Sequence, residues 1–265
     1  MPKKKIGLAL GSGAARGLAH IGVLEVLEKE GIPIDMIAGT SAGAAIGALY
    51  AQGKDVSQIE SLAIDLNWKK LASLVDLALP KTGFIGGRKI KNLLASVIGD
   101  IEFGDLKIPL ACVATDMGTG EEVVINRGSV LEGIRASISL PVIFTVAKWE
   151  GRYLVDGSLV NPVPVSILKR MGADFIIAVN VIPDIDERTH RVDKEPNIIS
   201  VIMQSLYIAT YSLVRSSLAA ADIIIEPQVA HIAAGDFHQA RECILQGKIA
   251  AQDALMQIKR RLGGN

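Results

Sequence analysis

A serine flanked at two-residue spacing by glycines is the first candidate for chemistry in this sequence. Gly39-Thr40-Ser41-Ala42-Gly43 is a G-x-S-x-G at a predicted strand-to-helix junction. At the apex of such a turn the serine hydroxyl projects into a site. The small neighbours relieve backbone crowding, and the following helix N-terminus aims N–H groups at a developing negative charge. Upstream, Gly11-Ser12-Gly13-Ala14-Ala15-Arg16-Gly17 closes one apolar run and opens a helix-like one. Backbone N–H groups in such a loop can hold an anion. A dinucleotide fingerprint does not fit, because Arg16 takes the place of its last glycine and no acidic residue ends the second predicted strand. The Gly-Lys-Ser/Thr ending of a phosphate loop is absent as well. An oxyanion hole asks only for small residues and free N–H groups near a nucleophile. In a parallel β-α-β arrangement the ends of the first two strands lie side by side, so this loop faces Ser41.

A serine hydroxyl needs a proton acceptor before it attacks. The four histidines are poorly placed to accept that proton. His20 lies beside the apolar stripe of the first helix, His190 in a charged loop, and His231 and His238 near the start of the last helix. Carboxylates are better placed. Asp156 ends a strand-like run at Val155-Asp156-Gly157-Ser158, and partial burial there would raise its basicity. Asp116, at the end of another apolar run, is the rival, and Asp-Gly alone also reads as a plain turn. The residues leave this choice open. No acidic or histidine cluster suggests a metal, and the chemistry calls for no cofactor.

The elements that must position these groups alternate. Continuous apolar runs at Ile6–Leu10, Met36–Ala38, Ile108–Thr115, Phe175–Val181 and Ile223–Ile225 are expected as strands covered on both faces. Leu18–Lys29, Ala42–Ala51, Val165–Met171, Ile198–Ala220 and Phe237–Leu262 are expected as helices. The fold class is therefore α/β: three α/β/α layers with a mainly parallel central sheet, in a single domain over residues 1–265. Lys148–Tyr153 is expected as a hairpin turn leading into Asp156, and Pro183–Pro196 as an exposed loop. Leu71–Gly87, with its proline and glycines, is expected as a loop or lid whose Leu71, Leu74, Val75, Leu77 and Leu79 could line an acyl groove.

Bulk properties narrow the function. Lys+Arg and Asp+Glu both total 28, and a chain with no basic excess is not expected to bind nucleic acid. Two cysteines far apart, one in the apolar run around Cys112, read as buried thiols in a reducing compartment. Lys3 to Lys5 precede too short an apolar run for a secretory signal. Ile198–Ala221 is interrupted by Gln204 and Arg215 and is expected as a core or subunit-interface helix rather than a membrane span. The expected location is cytoplasmic, with room for a homo-oligomer.

Five blocks in this order resemble the patatin-like phospholipase family, in its small bacterial stand-alone form: LALGSGAARGLAHIGVL (8–24), GTSAG (39–43), ATDMGTGE (114–121), RASISLPVIF (135–144) and DGSLVNPVP (156–164). The likeness covers roughly residues 5–180, with the segment 197–262 expected to pack on that core. It implies a Ser–Asp dyad without histidine, Ser41 as nucleophile and Asp156 as base, in a serine acyl hydrolase acting on lipid or ester substrates. It also implies that the loop around Gly13, Ala14 and Arg16 forms the oxyanion hole and that Gly39 and Gly43 shape the nucleophile elbow, and a lipid substrate leaves room for transient contact with a membrane surface. The family's usual loop reads G-G-G-x-R-G, whereas Ser12, Gly13 and Ala14 occupy the three glycine positions here. Serine and alanine still offer backbone N–H groups, so the hole survives if φ stays negative at Ser12 and Ala14, whereas a left-handed Ala14 would strain it and lower activity. Ser137, Ser139 and Pro141 are expected to shape the site wall. The alternatives are a Ser–His–Asp triad using His190, His231 or His238, and a non-catalytic regulatory or binding module on the same fold.

Overall fold

The structure is a computed structural model and describes residues 4–65, 83–85, 87–184 and 198–263. Its centre is a sheet whose parallel strands are mostly apolar because both faces are covered. Strands β1 (Ile6–Leu10) and β2 (Met36–Thr40) pair in parallel. Each is wholly buried, and its residues alternate between two cores: Leu8, Leu10 and Ile37 face one, while Ala9, Met36 and Ala38 face the other. The first core is closed by helices α1 (Ala19–Lys29), α2 (Ala42–Ala51) and α3 (Val56–Asp65).

Further along the chain come β3 (Gly83–Ile85), α4 (Gly87–Ile98), β4 (Leu110–Asp116), β5 (Glu122–Ile125) and α5 (Val130–Ser137). A short strand β6 (Val142–Phe144) pairs with β3 outside the main sheet. Then follow β7 (Ala147–Trp149), β8 (Arg152–Asp156), α6 (Val165–Met171), β9 (Phe175–Val179), α7 (Ile198–Leu218), β10 (Ile223–Ile225) and α8 (Ala240–Gly263). Helices α6 and α7 cover the second face through Val165, Ile167, Leu168, Val214 and Leu218. The sheet is mixed α/β, runs β10-β9-β1-β2-β4-β8-β7, and carries β5 on β4. It is parallel from β10 to β4 and antiparallel beyond.

One register positions the site. Thr40 of β2 pairs with Val113 of β4, and Asp156 of β8 pairs with Ala114. Strand β5 pairs with β4 over Cys112–Thr115, overlapping both neighbours, so β2 and β8 must share the opposite edge of β4. They meet there end to end. The residue after β2 is Ser41, and the last residue of β8 is Asp156. The hairpin that delivers Asp156 turns at Glu150 and Gly151, with φ 45 and 81, the pair of positive angles that a two-residue turn between twisted strands requires.

Helix α7 is packed into the core only in part. It packs through Val214 and Leu218 at one end, while Ile198, Val201 and Ile208 are exposed. Its other face is drawn over the site, as described below. Among the described residues no helix is long and apolar enough to cross a membrane. Cys112 and Cys243 are free and buried, and burial pushes both thiols up. The expected acyl groove at Leu71–Leu79 and the histidine at position 190 lie outside the described residues.

Candidate active site

Ser41 stands at the N-terminus of α2 with φ 54 and ψ −118, a sparsely populated conformation for a residue with a side chain. Its neighbours explain how the turn closes. A Cβ on Gly43 would lie 2.1 Å from the Leu10 carbonyl oxygen, so only glycine lets α2 approach β1 this closely. A Cβ on Gly39 would lie 2.6 Å from the backbone of Ala44. The Ser41 N–H donates to Ser137 Oγ at 2.9 Å, and that hydroxyl donates to the Val113 carbonyl at 2.6 Å. Thr40 Oγ1 donates to the Asn161 carbonyl at 2.9 Å. Strain at the serine is thus held by contacts with three other segments.

Ser41 Oγ donates to Asp156 Oδ2 at 2.6 Å. The other carboxylate oxygen accepts the Ser158 N–H at 2.8 Å, and the Asp156 N–H donates to the Ser139 carbonyl at 3.0 Å. Asp156 is 1% exposed, and burial raises its pKa above the ordinary 3.8 against the opposing hydrogen bonds from Ser41 and Ser158. A carboxylate with its basicity raised, held on a serine hydroxyl, is equipped to take that proton. Asp116 is engaged elsewhere: its Oδ1 accepts the N–H groups of Gly118 at 2.8 Å and Thr119 at 3.2 Å, which makes it a turn former.

The glycine-rich loop faces Ser41. Its N–H groups divide into two sets. Gly11 donates to Val179, Ser12 to Pro162, Ala15 to Ala234 and Arg16 to Gly13. Among the described residues the N–H groups of Gly13 and Ala14 have no partner. Arg16 is buried, and its Nε donates to the Ile232 carbonyl at 2.6 Å, so its side chain ties the loop to the segment before α8. Of the two cases for Ala14 the structure takes the strained one: φ is 49, a left-handed conformation costing roughly 1–2 kcal/mol for a residue with a Cβ. The bonds on either side of Ala14 hold it there.

Among the described residues no histidine takes a direct part in the pair. His20 is wholly buried, its Nε2 lies 2.7 Å from the Gly11 carbonyl as the donor, and burial lowers its pKa to about 4. It therefore pins the start of the loop in neutral form. His231 lies 3.9 Å from Glu242 on the surface, and neither His231 nor His238 lines the serine cavity.

That cavity has a volume of about 210 Å³ and brings Ser41, Asp156, Gly13 and Ala14 together with Leu140, Leu159 and one face of α7. Met203, Gln204, Leu206, Tyr207 and Thr210 supply the α7 wall, which the sequence expectations do not include. Their spacing of three and four is the signal that marks them. Ser137, expected in the site wall, sits behind Ser41 instead. Among the described residues no group of three or more His, Cys, Asp or Glu is arranged to hold a metal ion.

The chain has known relatives. The family model for patatin-like phospholipases matches residues 8–169, and the chain belongs to that family. An NTE family protein of Mycobacterium tuberculosis is 34% identical over 215 residues, 81% of this chain and 59% of that protein. The lysophospholipase nte1 of Aspergillus fumigatus is 35% identical over 197 residues, 71% of this chain and 12% of that protein. The chain thus spans less than two thirds of the length of these relatives. Among solved structures, VipD from Legionella pneumophila superposes with a TM-score of 0.66 at 14% identity, over 97% of this chain and 67% of its own. The type III effector protein ExoU superposes with a TM-score of 0.50 at 15% identity, over 97% of this chain and 53% of its own. These two establish the likeness of fold.

Proposed function

We propose that the protein is a lipid acyl hydrolase that cleaves carboxylic esters with a Ser41–Asp156 dyad. The observation that carries this reading is the 2.6 Å hydrogen bond from Ser41 Oγ to the buried carboxylate, beside two N–H groups without partners among the described residues. Ser41 Oγ attacks the ester carbonyl carbon as its proton passes to Asp156. The carbonyl oxygen becomes an oxyanion and accepts the Gly13 and Ala14 N–H groups. Arg16 serves the hole as the anchor of its loop, since its own N–H is bonded to Gly13. Each such donor is worth roughly 3 kcal/mol in the transition state. The tetrahedral adduct then breaks its bond to the leaving alcohol, which takes the proton from Asp156. A water molecule gives a proton to Asp156 and attacks the acyl-serine, and collapse of that second adduct releases the carboxylic acid and restores Ser41.

The names of the relatives, which include a lysophospholipase, support a lipid ester as substrate. In this reading one domain carries the whole site, works in the cytoplasm, and meets lipid surfaces transiently. The mainly apolar α7 wall of the cavity suits an acyl chain, and self-association would use the exposed outer face of that helix. The rival reading, a regulatory module on the same fold, draws on the strained Ala14. Release of p-nitrophenol from a short p-nitrophenyl ester separates the two. The expected result is wild-type turnover whose acid limb lies above the ordinary aspartate pKa of 3.8, because the raised Asp156 must be ionised to act. A well-folded wild type with no turnover would favour the regulatory module.

A further inference from the structure

A second cavity, of about 220 Å³, lies beside the catalytic one at the carboxyl ends of β9 and β10, where open parallel sheets commonly bind ligands. Ile182 lines both cavities, and α7 forms a wall of each, so the two are neighbours across one side chain. Three charged side chains, Asp184, Arg215 and Glu226, line this second cavity, whereas the first is mainly apolar away from Asp156 and Arg16. Helix α7 carries a single charge in its 21 residues, Arg215, and that residue lines the second cavity. Among the described residues its guanidinium has no hydrogen-bond or ion-pair partner. The strand side presents Glu226, whose Oε1 accepts from Asn180 Nδ2 at 2.9 Å. Asn180 is itself buried and fixed, its Oδ1 accepting the Ile182 N–H at 3.1 Å. A cation stands on the helix wall and an oriented carboxylate on the strand wall, and Tyr211 lies one turn before Arg215 on the same helix wall.

We infer that this cavity is the head-group subsite of the hydrolase, built for a lipid head that carries a phosphate and a cationic amine together. The phosphate pairs with Arg215, for which a guanidinium is well suited. The amine faces Glu226. A neutral glyceride head would leave Arg215 and Glu226 without a counter-charge from the lipid, and a head with net negative charge would set an anion against Glu226, so selection arises from the rejected heads as well as the accepted one. The inference rests on the hydrolase reading, with Ser41 attacking the ester while the adjoining cavity holds the head.

The test compares kcat/KM for lysophosphatidylcholine with that for p-nitrophenyl butyrate, which has no head group, in the wild type, Arg215→Gln and Glu226→Gln. The expected result is at least a tenfold fall in the ratio of the two values in Arg215→Gln, arising mainly in KM for the phospholipid. Glu226→Gln, which keeps the acceptor for Asn180, is expected to shift preference from lysophosphatidylcholine towards lysophosphatidylglycerol. A merely structural role would lower both esters together, and an unchanged ratio in Arg215→Gln would overturn the assignment. Titration with glycerophosphocholine, followed by NMR, reads the subsite without turnover and is expected to show binding that Arg215→Gln abolishes. Equal binding of inorganic phosphate would make the cavity a phosphate site and overturn the head-group assignment, as would no binding of glycerophosphocholine by the wild type. Failure of the hydrolase reading would show itself separately, as absence of p-nitrophenyl ester turnover in the wild type.

Discussion

Asp156→Asn is expected to lower ester hydrolysis by about 10²–10⁴-fold while the protein stays folded and its Tm holds or rises. The two effects come from one group. The carboxylate is buried against the ends of β2 and β8, and its direct hydrogen bonds come from Ser41 and Ser158. Burial dominates and raises its pKa. A carboxyl with a raised folded-state pKa binds more protons folded than unfolded in the interval between the two values, so the folded state loses stability as pH rises through that interval. Asparagine removes the charge and keeps an acceptor for the Ser158 N–H. Melting temperatures of wild type and variant should therefore diverge in favour of Asn as pH rises from below 3.8 towards neutrality. A variant that hydrolyses esters within a few-fold of wild type would remove Asp156 from the reaction. One that fails to fold would show the carboxylate to be structural.

Gly247→Ala is expected to cost at least about 3 kcal/mol of stability, the upper end of the overpacking range. Helices α1 and α8 make the most extensive helix–helix contact in the fold, and two glycines set their separation. A Cβ on Gly247 would lie 1.9 Å from the Ala19 carbonyl oxygen, and one on Gly22 would lie 2.0 Å from the Ile244 carbonyl oxygen. Both obstacles are backbone, so no rotamer change relieves them and one helix must move. The movement reaches the site. The segment before α8 supplies the Ile232 and Ala234 carbonyls that hold Arg16 and the Ala15 N–H, close to the donors at Gly13 and Ala14. Urea unfolding should show a lowered midpoint at unchanged m, and activity per folded molecule should fall as well. A cost below about 1 kcal/mol would mean the two helices separate freely and their close contact is not a constraint.

Much of this architecture is legible in the sequence because it depends on local patterns. The runs Ile6–Leu10 and Ile223–Ile225 are apolar at every position, the first because both faces of the strand are covered and the second although Ile224 is exposed at the sheet edge, and their bounds emerge as expected. Helices α2 and α6 also keep their expected limits, set by Ser41 before one and by Gly172, with φ 89, after the other. Ser41 stands out in the sequence from its strand-to-helix turn, whereas the residues alone leave Asp156 and Asp116 both open and the family resemblance selects Asp156. The juxtaposition of Ser41 and Asp156 depends on β2 and β8 sharing one edge of β4, which is a matter of register between segments more than a hundred residues apart.

What the sequence hides is of that long-range kind. Ala14 adopts positive φ because Ala234, Ile232 and Gly13 fix the residues beside it, and nothing in the local string Gly-Ala-Ala announces it. Ser137 looks like wall in its sequence block, yet it bridges the Ser41 N–H to Val113 through a hydroxyl whose direction only the packed structure determines. The apolar composition of α7 suggests a core or interface helix, but one of its faces is occupied by the cavity rather than by packed side chains.

If Ser41 is a nucleophile activated by Asp156, an electrophile that mimics the ester will be trapped on it. Folded wild type, Ser41→Ala and Asp156→Asn are treated with a fluorophosphonate, and the modified peptide is located by mass spectrometry. The expected result is one adduct on Ser41 in the wild type, loss of ester hydrolysis in step with labelling, slowed labelling in Asp156→Asn and none in Ser41→Ala. Hydrolysis that survives in Ser41→Ala, or an adduct on another residue that abolishes turnover, would contradict the dyad.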